Sequence, residues 1–259
     1  MNAALITGAS YGIGAAFARA LATRQTNLIL VARSQERLQQ LANTLKSESA
    51  LKVQVIVQDL TQPDAPQAVR RIVSELGWQV DLLVNNAGFG DYGEFAQQEL
   101  ARQLNMIQLN ISAMVELTHY FLPGMQARGN GNIINVSSIA GFQPLPYLSV
   151  YAASKAFVLS FTEALWAENR ETGVHCLALC PGPTETEFFE NAKMPSQLAN
   201  KNSSPLTSAE AVVQQALDAL GAKQSTTVTG GLTNQLIVNA PRFLPRSWLV
   251  SAVEKQFRI

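Results

Sequence analysis

The sequence has few of the residues that disulfide frameworks and metal sites require. Only two of its 259 residues are cysteine, Cys176 and Cys180, and only two are histidine, His119 and His175. Two thiols cannot form a disulfide framework, and four scattered ligands give no zinc-like spacing, so we expect a reducing compartment and no metal. If their segment is a strand, the two thiols lie on one side of it. We therefore expect buried, unreactive cysteines rather than a redox pair.

Charge and long apolar runs are also scarce. Charged residues make up 15% of the chain, with 19 Lys and Arg against 19 Asp and Glu. A sequence-independent nucleic-acid binder needs a surplus of cations, so we expect no nucleic-acid partner. No run approaches the roughly 20 apolar residues of a membrane-spanning helix, and the segment before Gly8 lacks the features of a signal peptide. These absences favour a cytoplasmic protein without a transmembrane segment.

The apolar residues, 47% of the chain, are arranged for an α/β fold. Short runs rich in Val, Ile and Leu predict strands at Ala3–Thr7, Asn27–Ala32, Lys52–Val57, Asp81–Asn85, Asn132–Val136 and Val174–Cys180. Segments of helical period lie between them, at Gly14–Thr23, Gln35–Ser49, Gln62–Leu76, Glu94–Arg128 (two helices) and Val150–Thr172. Such alternation predicts a Rossmann-type doubly wound parallel sheet with helices on both faces. Without a linker or a break in composition, we expect one domain over residues 1–259.

A glycine-rich turn follows the first predicted strand and opens the first helix. Glycines lack the Cβ atoms that would hold a pyrophosphate away from the backbone, and a helix N-terminus offers free N–H groups. The turn therefore predicts a dinucleotide site, although tight turns need glycine for other reasons too. The residues expected to bind the cofactor here are Gly8, Ser10, Tyr11, Gly12, Ile13 and Gly14.

The end of the second predicted strand bears on which dinucleotide binds. Folds that bind NAD place an acidic residue there to hold the ribose hydroxyls, but the sequence after Ala32 is Arg33-Ser34. A guanidinium suits a 2′-phosphate by charge and geometry, so we expect NADP(H) to be preferred over NAD(H). Ser10 and Ser34 could add hydroxyl donors. The alternative is an ordinary surface arginine at the start of a helix.

Tyr151 and Lys155 stand four residues apart in a predicted helix and so share one face. A nearby cation lowers the pKa of a phenol and makes it a usable general acid–base. This spacing is common in helices and is uninformative alone. Ser138, however, ends a predicted strand at the sheet edge where such folds bind ligands, and its hydroxyl could stabilise charge on a substrate oxygen.

Taken together, these motifs give the chain a specific resemblance. From Thr7 to at least Thr186 it resembles the short, single-domain branch of the short-chain dehydrogenase/reductase family. The resemblance rests on Thr7–Gly14, Asp59-Leu60, Asn85–Gly88, Asn110, Ser138, Tyr151 with Lys155, and Pro181–Thr186. It implies that Tyr151 is the acid–base, that Lys155 binds the nicotinamide ribose, and that Ser138 orients the substrate. Asn110 would hold a water that links Lys155 to solvent.

The resemblance also implies further cofactor contacts. Asp59 would meet the adenine amino group, with Leu60 beside it. Asn86, Ala87 and Gly88 would pass under the adenosine side, and Pro181, Gly182, Thr184 and Thr186 would contact the nicotinamide end. Taken singly, these residues have simpler explanations: Asp59 or Thr61 as a helix cap, Asn85–Gly88 as a turn, and Asn110 as a solvated helix residue.

The substrate is less well specified. Apolar residues expected at the pocket are Phe89, Phe142, Pro144, Leu145, Pro146, Tyr147, Phe188 and Phe189, which suit a small hydrophobic ketone or alcohol but could simply pack loops. Residues 186–208, polar over Asn191–Ser208, are expected to form a substrate lid; a surface loop is the alternative.

The C-terminal tail, residues 241–259, joins aromatic residues to arginines. It could pack on the protein's own core, form a subunit interface or, less favoured, contact a membrane surface. We expect a homodimer or homotetramer. Two other functions remain open: a catalytically silent cofactor-binding regulator, and a sugar-nucleotide epimerase or dehydratase, against which the short chain and the G-x-x-x-G-x-G spacing argue.

Overall fold

The computed structural model describes residues 1–201 and 206–258, and for residues 199–201 the backbone alone. Its centre is a parallel sheet of seven strands in the order β3-β2-β1-β4-β5-β6-β7. The strands are β1 (Asn2–Thr7), β2 (Asn27–Ala32), β3 (Val53–Val57), β4 (Gln79–Asn85), β5 (Gly131–Val136), β6 (Val174–Cys180) and β7 (Thr226–Val228). The predicted doubly wound sheet in a single domain is confirmed.

Helices cover both faces of this sheet. They are α1 (Gly12–Thr23), α2 (Gln35–Glu48), α3 (Ala65–Glu75), α4 (Leu100–Ile107), α5 (Ala113–Arg128), α6 (Ser149–Glu168), α7 (Phe188–Asn191), α8 (Ser196–Lys201), α9 (Ala209–Gly221), α10 (Leu232–Asn239) and α11 (Arg246–Phe257). In β1, Ala4 and Ile6 join a core with α1, α2 and α9. Ala3 and Leu5 join the opposite core with α3, α5 and α6. Because alternate residues of one strand enter different cores, the strands are apolar without alternation.

The sequence prediction missed several elements. The edge strand β7 is only Thr-Thr-Val and half-buried, so it has no recognisable apolar pattern. The two helices expected within Glu94–Arg128 are separated by a π-helical segment at Gln108–Ser112. The helix expected to reach Thr172 ends at Glu168. There the side chain of Asn169 donates to the Leu165 carbonyl at 2.7 Å and satisfies the helix end.

A buried row of polar side chains ties the strands together near their carboxyl ends. Asn85 Nδ2 donates to Thr118 Oγ1 at 3.0 Å and to Asn135 Oδ1 at 2.9 Å. Asn135 Nδ2 in turn donates to Thr162 Oγ1 at 3.0 Å. These bonds join β4 and β5 to α5 and α6. They fix α6, which carries Tyr151 and Lys155, and α5 against the strands that lead into the candidate cofactor site.

Candidate active site

A large cleft runs along the carboxyl ends of the strands. Its volume is about 1370 Å³. Of the residues expected from the sequence, those that line it are Gly8, Ser10, Tyr11, Gly12, Ile13, Arg33, Asp59, Leu60, Asn86, Ala87, Gly88, Ser138, Tyr151, Lys155, Pro181, Gly182, Thr184 and Thr186. Gly14 and Asn110 are buried behind its wall. The fold thus gathers residues from most of the chain at one edge of the sheet, where open α/β folds bind ligands.

The glycine turn forms a tight cradle. Gly8 has φ +64°, and a Cβ there would lie 2.8 Å from Asn86 Nδ2. Thr7 Oγ1 accepts hydrogen bonds from the backbone N–H groups of Asn86 and Ala87, both at 3.0 Å. Tyr11 precedes α1 without a capping side-chain bond, so the first N–H groups of that helix stay open toward the cleft. This geometry fits the pyrophosphate of a dinucleotide, which needs a close backbone and free donors.

The end of the cleft where adenosine is expected to bind carries two arginines rather than one. Arg33 is exposed and lines the cleft, as predicted. Arg37, one helical turn later, also lines it, and the sequence analysis did not single it out. Its guanidinium pairs with Glu187 at 2.9 Å and lies 5.6 Å from the centre of the Tyr11 ring. The spacing of four residues between Arg33 and Arg37 could have predicted that both lie on the same side at the start of α2.

Asp59 lies in a local turn at the cleft and does not cap α3, whose N-cap residue is Asp64. Asp59 Oδ1 accepts bonds from the Thr61 backbone N–H at 3.0 Å and the Thr61 hydroxyl at 2.8 Å, as in a turn. The same residue lines the cleft beside Leu60. The local bonds therefore hold the carboxylate in place at the cleft edge.

Helix α6 places the candidate catalytic pair. Tyr151 and Lys155 are both buried on its inner face. Lys155 Nζ donates to the Val136 carbonyl at 2.8 Å and lies 5.8 Å from the centre of the Tyr151 ring. Ser138 follows β5, and its Oγ accepts a bond from the Ala140 N–H at 3.1 Å. The three side chains meet at the middle of the cleft.

The protonation properties of this pair differ from the expectation. Burial raises the pKa of Tyr151 to about 12, and the hydrogen bond with Ser138 only partly opposes this. Burial also lowers the pKa of Lys155 to about 8. The expected lowering of the phenol pKa by Lys155 is therefore not found in the protein alone, because the cost of charging a buried phenol exceeds the help of its neighbours.

Asn110 acts as a clamp within the π-helical segment. Its Oδ1 accepts from the Phe89 N–H at 3.1 Å, and its Nδ2 donates to the Phe89 carbonyl and to Ser154 Oγ, both at 3.0 Å. Ser154 was not foreseen as a partner. Both amide hydrogens are thus donated to protein acceptors, and the water expected at Asn110 would have to bond an oxygen of this residue.

The substrate end of the cleft is largely apolar. Phe89, Leu145, Phe188 and Phe189 line it as expected, whereas Phe142, Pro144, Pro146 and Tyr147 do not. Tyr147 instead turns to α11 and donates to Glu254 at 3.3 Å. The ring of Phe188 packs on Tyr151 with 5.1 Å between centres.

The C-terminal tail forms a further wall of the cleft, through Leu249, Val253 and Phe257, which was not predicted from the sequence. Their i, i+4 and i+8 spacing was the signal for a buried helix face.

The expected lid is built from short helices. Within residues 186–208 the structure contains α7 and the backbone of α8, and residues 202–205, part of that prediction, lie outside the described residues. A bridge between Thr184 and Thr207 joins the two ends of the segment. Arg102 of α4 donates from Nη2 to the Asn191 carbonyl at 2.7 Å, which ties this segment to α4, and from Nε to Asp91 at 2.6 Å.

Within residues 1–201 and 206–258, no helix has both the length and the apolar character needed to cross a membrane. Over the same range no three His, Cys, Asp or Glu side chains lie together in a way that could hold a metal ion.

Known proteins resemble this chain in sequence and in fold. It is 36% identical to a ketoacyl reductase, HetN, of a Nostoc species, over 81% of this chain and 73% of that protein. It is 31% identical to a very-long-chain 3-oxoacyl-CoA reductase of Mus musculus, over 95% of this chain and 76% of that protein. A solved short-chain dehydrogenase from Sphingobium yanoikuyae, in complex with NADPH, superposes with a TM-score of 0.81 and 31% identity over 99% of this chain and 94% of that one.

The fold and the site define an α/β oxidoreductase of the kind that uses a nicotinamide cofactor. The sequence model of the short chain dehydrogenase family matches residues 2–196. The chain belongs to the short-chain dehydrogenase/reductase family, as its motifs predicted.

Proposed function

We propose that this protein is an NADP(H)-dependent oxidoreductase that interconverts a carbonyl and an alcohol, with Tyr151 as the acid–base. The observation that carries the proposal is the meeting of Ser138, Tyr151 and Lys155 in the same cleft as the glycine cradle. The named activities of the two reductases above support the reaction class.

When bound, the nicotinamide supplies the hydride for reduction or accepts it in oxidation. In reduction, Tyr151 donates its phenolic proton to the carbonyl oxygen while Ser138 hydrogen-bonds that oxygen. A raised pKa keeps the phenol protonated before the reaction, which suits an acid. Lys155, whose pKa of about 8 lies close to neutrality, is placed to return a proton to the phenolate. The clamp made by Asn110 holds the Phe89 backbone beside them.

The preference for NADP(H) rests on charge at the adenosine end. Arg33 stands where an acidic residue would hold the ribose of NAD, and Arg37 adds a second guanidinium at the same edge. Arg37 is shared with Glu187, so Arg33 is the free partner for a 2′-phosphate. The superposed Sphingobium structure holds NADPH.

The apolar substrate end favours a hydrophobic ketone or alcohol, closed by a lid at residues 186–208 and walled by the tail at residues 241–259. We also propose that residues 1–259 act as one unit. Buried free thiols are compatible with a cytoplasmic location, and the family resemblance with a homodimer or homotetramer.

The main test is Tyr151→Phe, assayed by NADPH oxidation with a panel of ketones and aldehydes. Removal of the proton donor should lower kcat by about 10²-fold or more while the Kd for NADPH stays unchanged. Tyr120→Phe, on α5 and outside the cleft lining, is the matched control and should keep full activity. Full activity of Tyr151→Phe would overturn the assignment. NADPH binding without turnover of any panel member would favour the catalytically silent alternative.

The cofactor assignment is tested separately with Arg33→Asp. The new carboxylate should repel a 2′-phosphate and weaken NADPH at least tenfold relative to NADH, a difference of about 1.4 kcal/mol. Arg24→Asp, at the far end of α1, makes the same change of charge away from the cleft. Equal effects of Arg33→Asp on the two cofactors would refute the role of Arg33.

A further inference from the structure

The segment from α10 to α11, which contributes to the wall of the cleft, also exposes several large apolar side chains. Helix α10 exposes Leu232 and Leu236 to 83% and 72%, and the connection to α11 exposes Phe243 to 83%. Trp248, in the first turn of α11, is 73% exposed, and Leu244 is exposed beside them in sequence. We call these five residues the apolar patch. Exposure of so many large side chains within 17 residues is typical of a surface that contacts a partner or a membrane.

Before Glu254, which pairs with Arg258 at 2.6 Å, the charged residues in this part of the sequence have one sign. Between Ala219 and Val253 the sequence has Lys223, Arg242 and Arg246 and no acidic residue. The chain as a whole is balanced, with 19 residues of each sign, so this asymmetry is local. Arg242 and Arg246 lie within the patch region and are both exposed. Aromatic and leucine side chains mixed with arginines match an anionic bilayer interface, where the former enter the headgroup layer and the latter meet lipid phosphates.

We propose that the apolar patch docks on an anionic membrane surface. A second copy of the chain fits less well, because a twofold interface built on the patch would bring together four arginines, Arg242 and Arg246 of each copy, with no acidic residue from positions 220–252 to pair with them. An acidic protein surface would satisfy the arginines, but it would not need this density of exposed Leu, Phe and Trp.

Docking would also place the cleft close to the lipid. Ile237 of α10 and Leu249 and Val253 of α11 line the cleft, while Leu232, Leu236 and Trp248 of the same two helices are exposed. A protein held in this way has the apolar end of its cleft beside the bilayer. This consequence rests on the proposed function, whereas the docking itself does not.

The experiment is co-sedimentation of the full chain with two kinds of vesicle, pure phosphatidylcholine and an equal mixture of phosphatidylcholine and phosphatidylglycerol. We expect binding to the mixed vesicles that high salt weakens, and a blue shift of the Trp248 emission that Trp248→Phe removes. Phe243→Ser with Trp248→Ser should weaken binding about tenfold or more. Arg242→Glu with Arg246→Glu should abolish the preference for anionic vesicles.

The matched control is Phe95→Ser with Leu100→Ser, which removes two other exposed apolar side chains, 60% and 66% exposed, from a different face. It should bind like the wild type. Equal binding by the Phe243/Trp248 variant, or equal binding to both kinds of vesicle, would overturn the proposal. A smaller particle in size-exclusion chromatography for that variant would show a second copy as the occupant and would also overturn it. Activity of the Phe243/Trp248 variant in vesicle-free buffer should be unchanged, so loss of docking is distinguishable from a wrong proposed function.

Discussion

Substitution Gly14→Ala tests whether the glycine cradle depends on space rather than on backbone flexibility. Gly14 lies in α1, where alanine is normally favoured over glycine by about 1 kcal/mol. Here, however, the new Cβ would overlap the Gly8 carbonyl oxygen and would lie 2.6 Å from Asn86 Nδ2. The first of these atoms is backbone of the turn itself, so relief requires moving the cradle. Overpacking of this kind costs about 3 kcal/mol at its upper end, which leaves a net loss of about 2 kcal/mol.

The assay is thermal unfolding of the ligand-free protein together with fluorescence titration of NADPH. A loss of about 2 kcal/mol should lower Tm by roughly 4–8 °C for a domain of this size. Displacement of the Gly8 carbonyl should raise the Kd for NADPH about tenfold. Gly221→Ala is the matched control, since its Cβ would meet nothing within 4 Å at the end of α9. If Gly14→Ala matched Gly221→Ala in both Tm and Kd, the steric explanation of this glycine would be refuted.

Two further predictions follow from burial. Lys155→Met should abolish activity but raise the free energy of unfolding at neutral pH. The drop of the Lys155 pKa from 10.5 to about 8 corresponds to a destabilisation of about 3 kcal/mol by the buried ammonium. The pKa of Lys155 is lower in the folded than in the unfolded protein, so this destabilisation is fully present below pH 8 and disappears as the pH rises toward 10.5. Denaturant titrations should therefore show that the stability advantage of the variant shrinks over that range. A variant less stable than the wild type at pH 7 would contradict this prediction. Burial raises the pKa of the Cys176 and Cys180 thiols to about 12. Neither thiol should therefore react with a maleimide in the native protein, and both should react in denaturant, as counted by mass spectrometry. Rapid labelling of the native protein would contradict the burial of β6.

The sequence by itself determined the sheet and the motifs, because both are local. Each of the first six strands is a short apolar run that must be covered on both faces. The turn at Gly8 is recognisable from its glycines, which lack a Cβ and, at Gly8 and Gly12, adopt a positive φ. The spacing of Tyr151 and Lys155 needs only the geometry of one helix. Family membership followed from the order of these local features along the chain.

The tertiary structure decided what depends on distant partners. Tyr151 is buried by elements from other parts of the chain, so the sequence could not show that burial raises the pKa of its phenol to about 12 against the opposing hydrogen bond with Ser138. Asn110 bonds Phe89 and Ser154 across more than 20 residues, and Arg37 meets Glu187 across 150. The C-terminal tail could be predicted least well from the sequence, because its composition is compatible with three roles. Packing alone shows that Leu249 and Val253 line the cleft, whereas Phe243 and Trp248 are exposed. A pattern fixes which face of a helix is apolar, but the neighbours that cover that face are brought there by the rest of the fold.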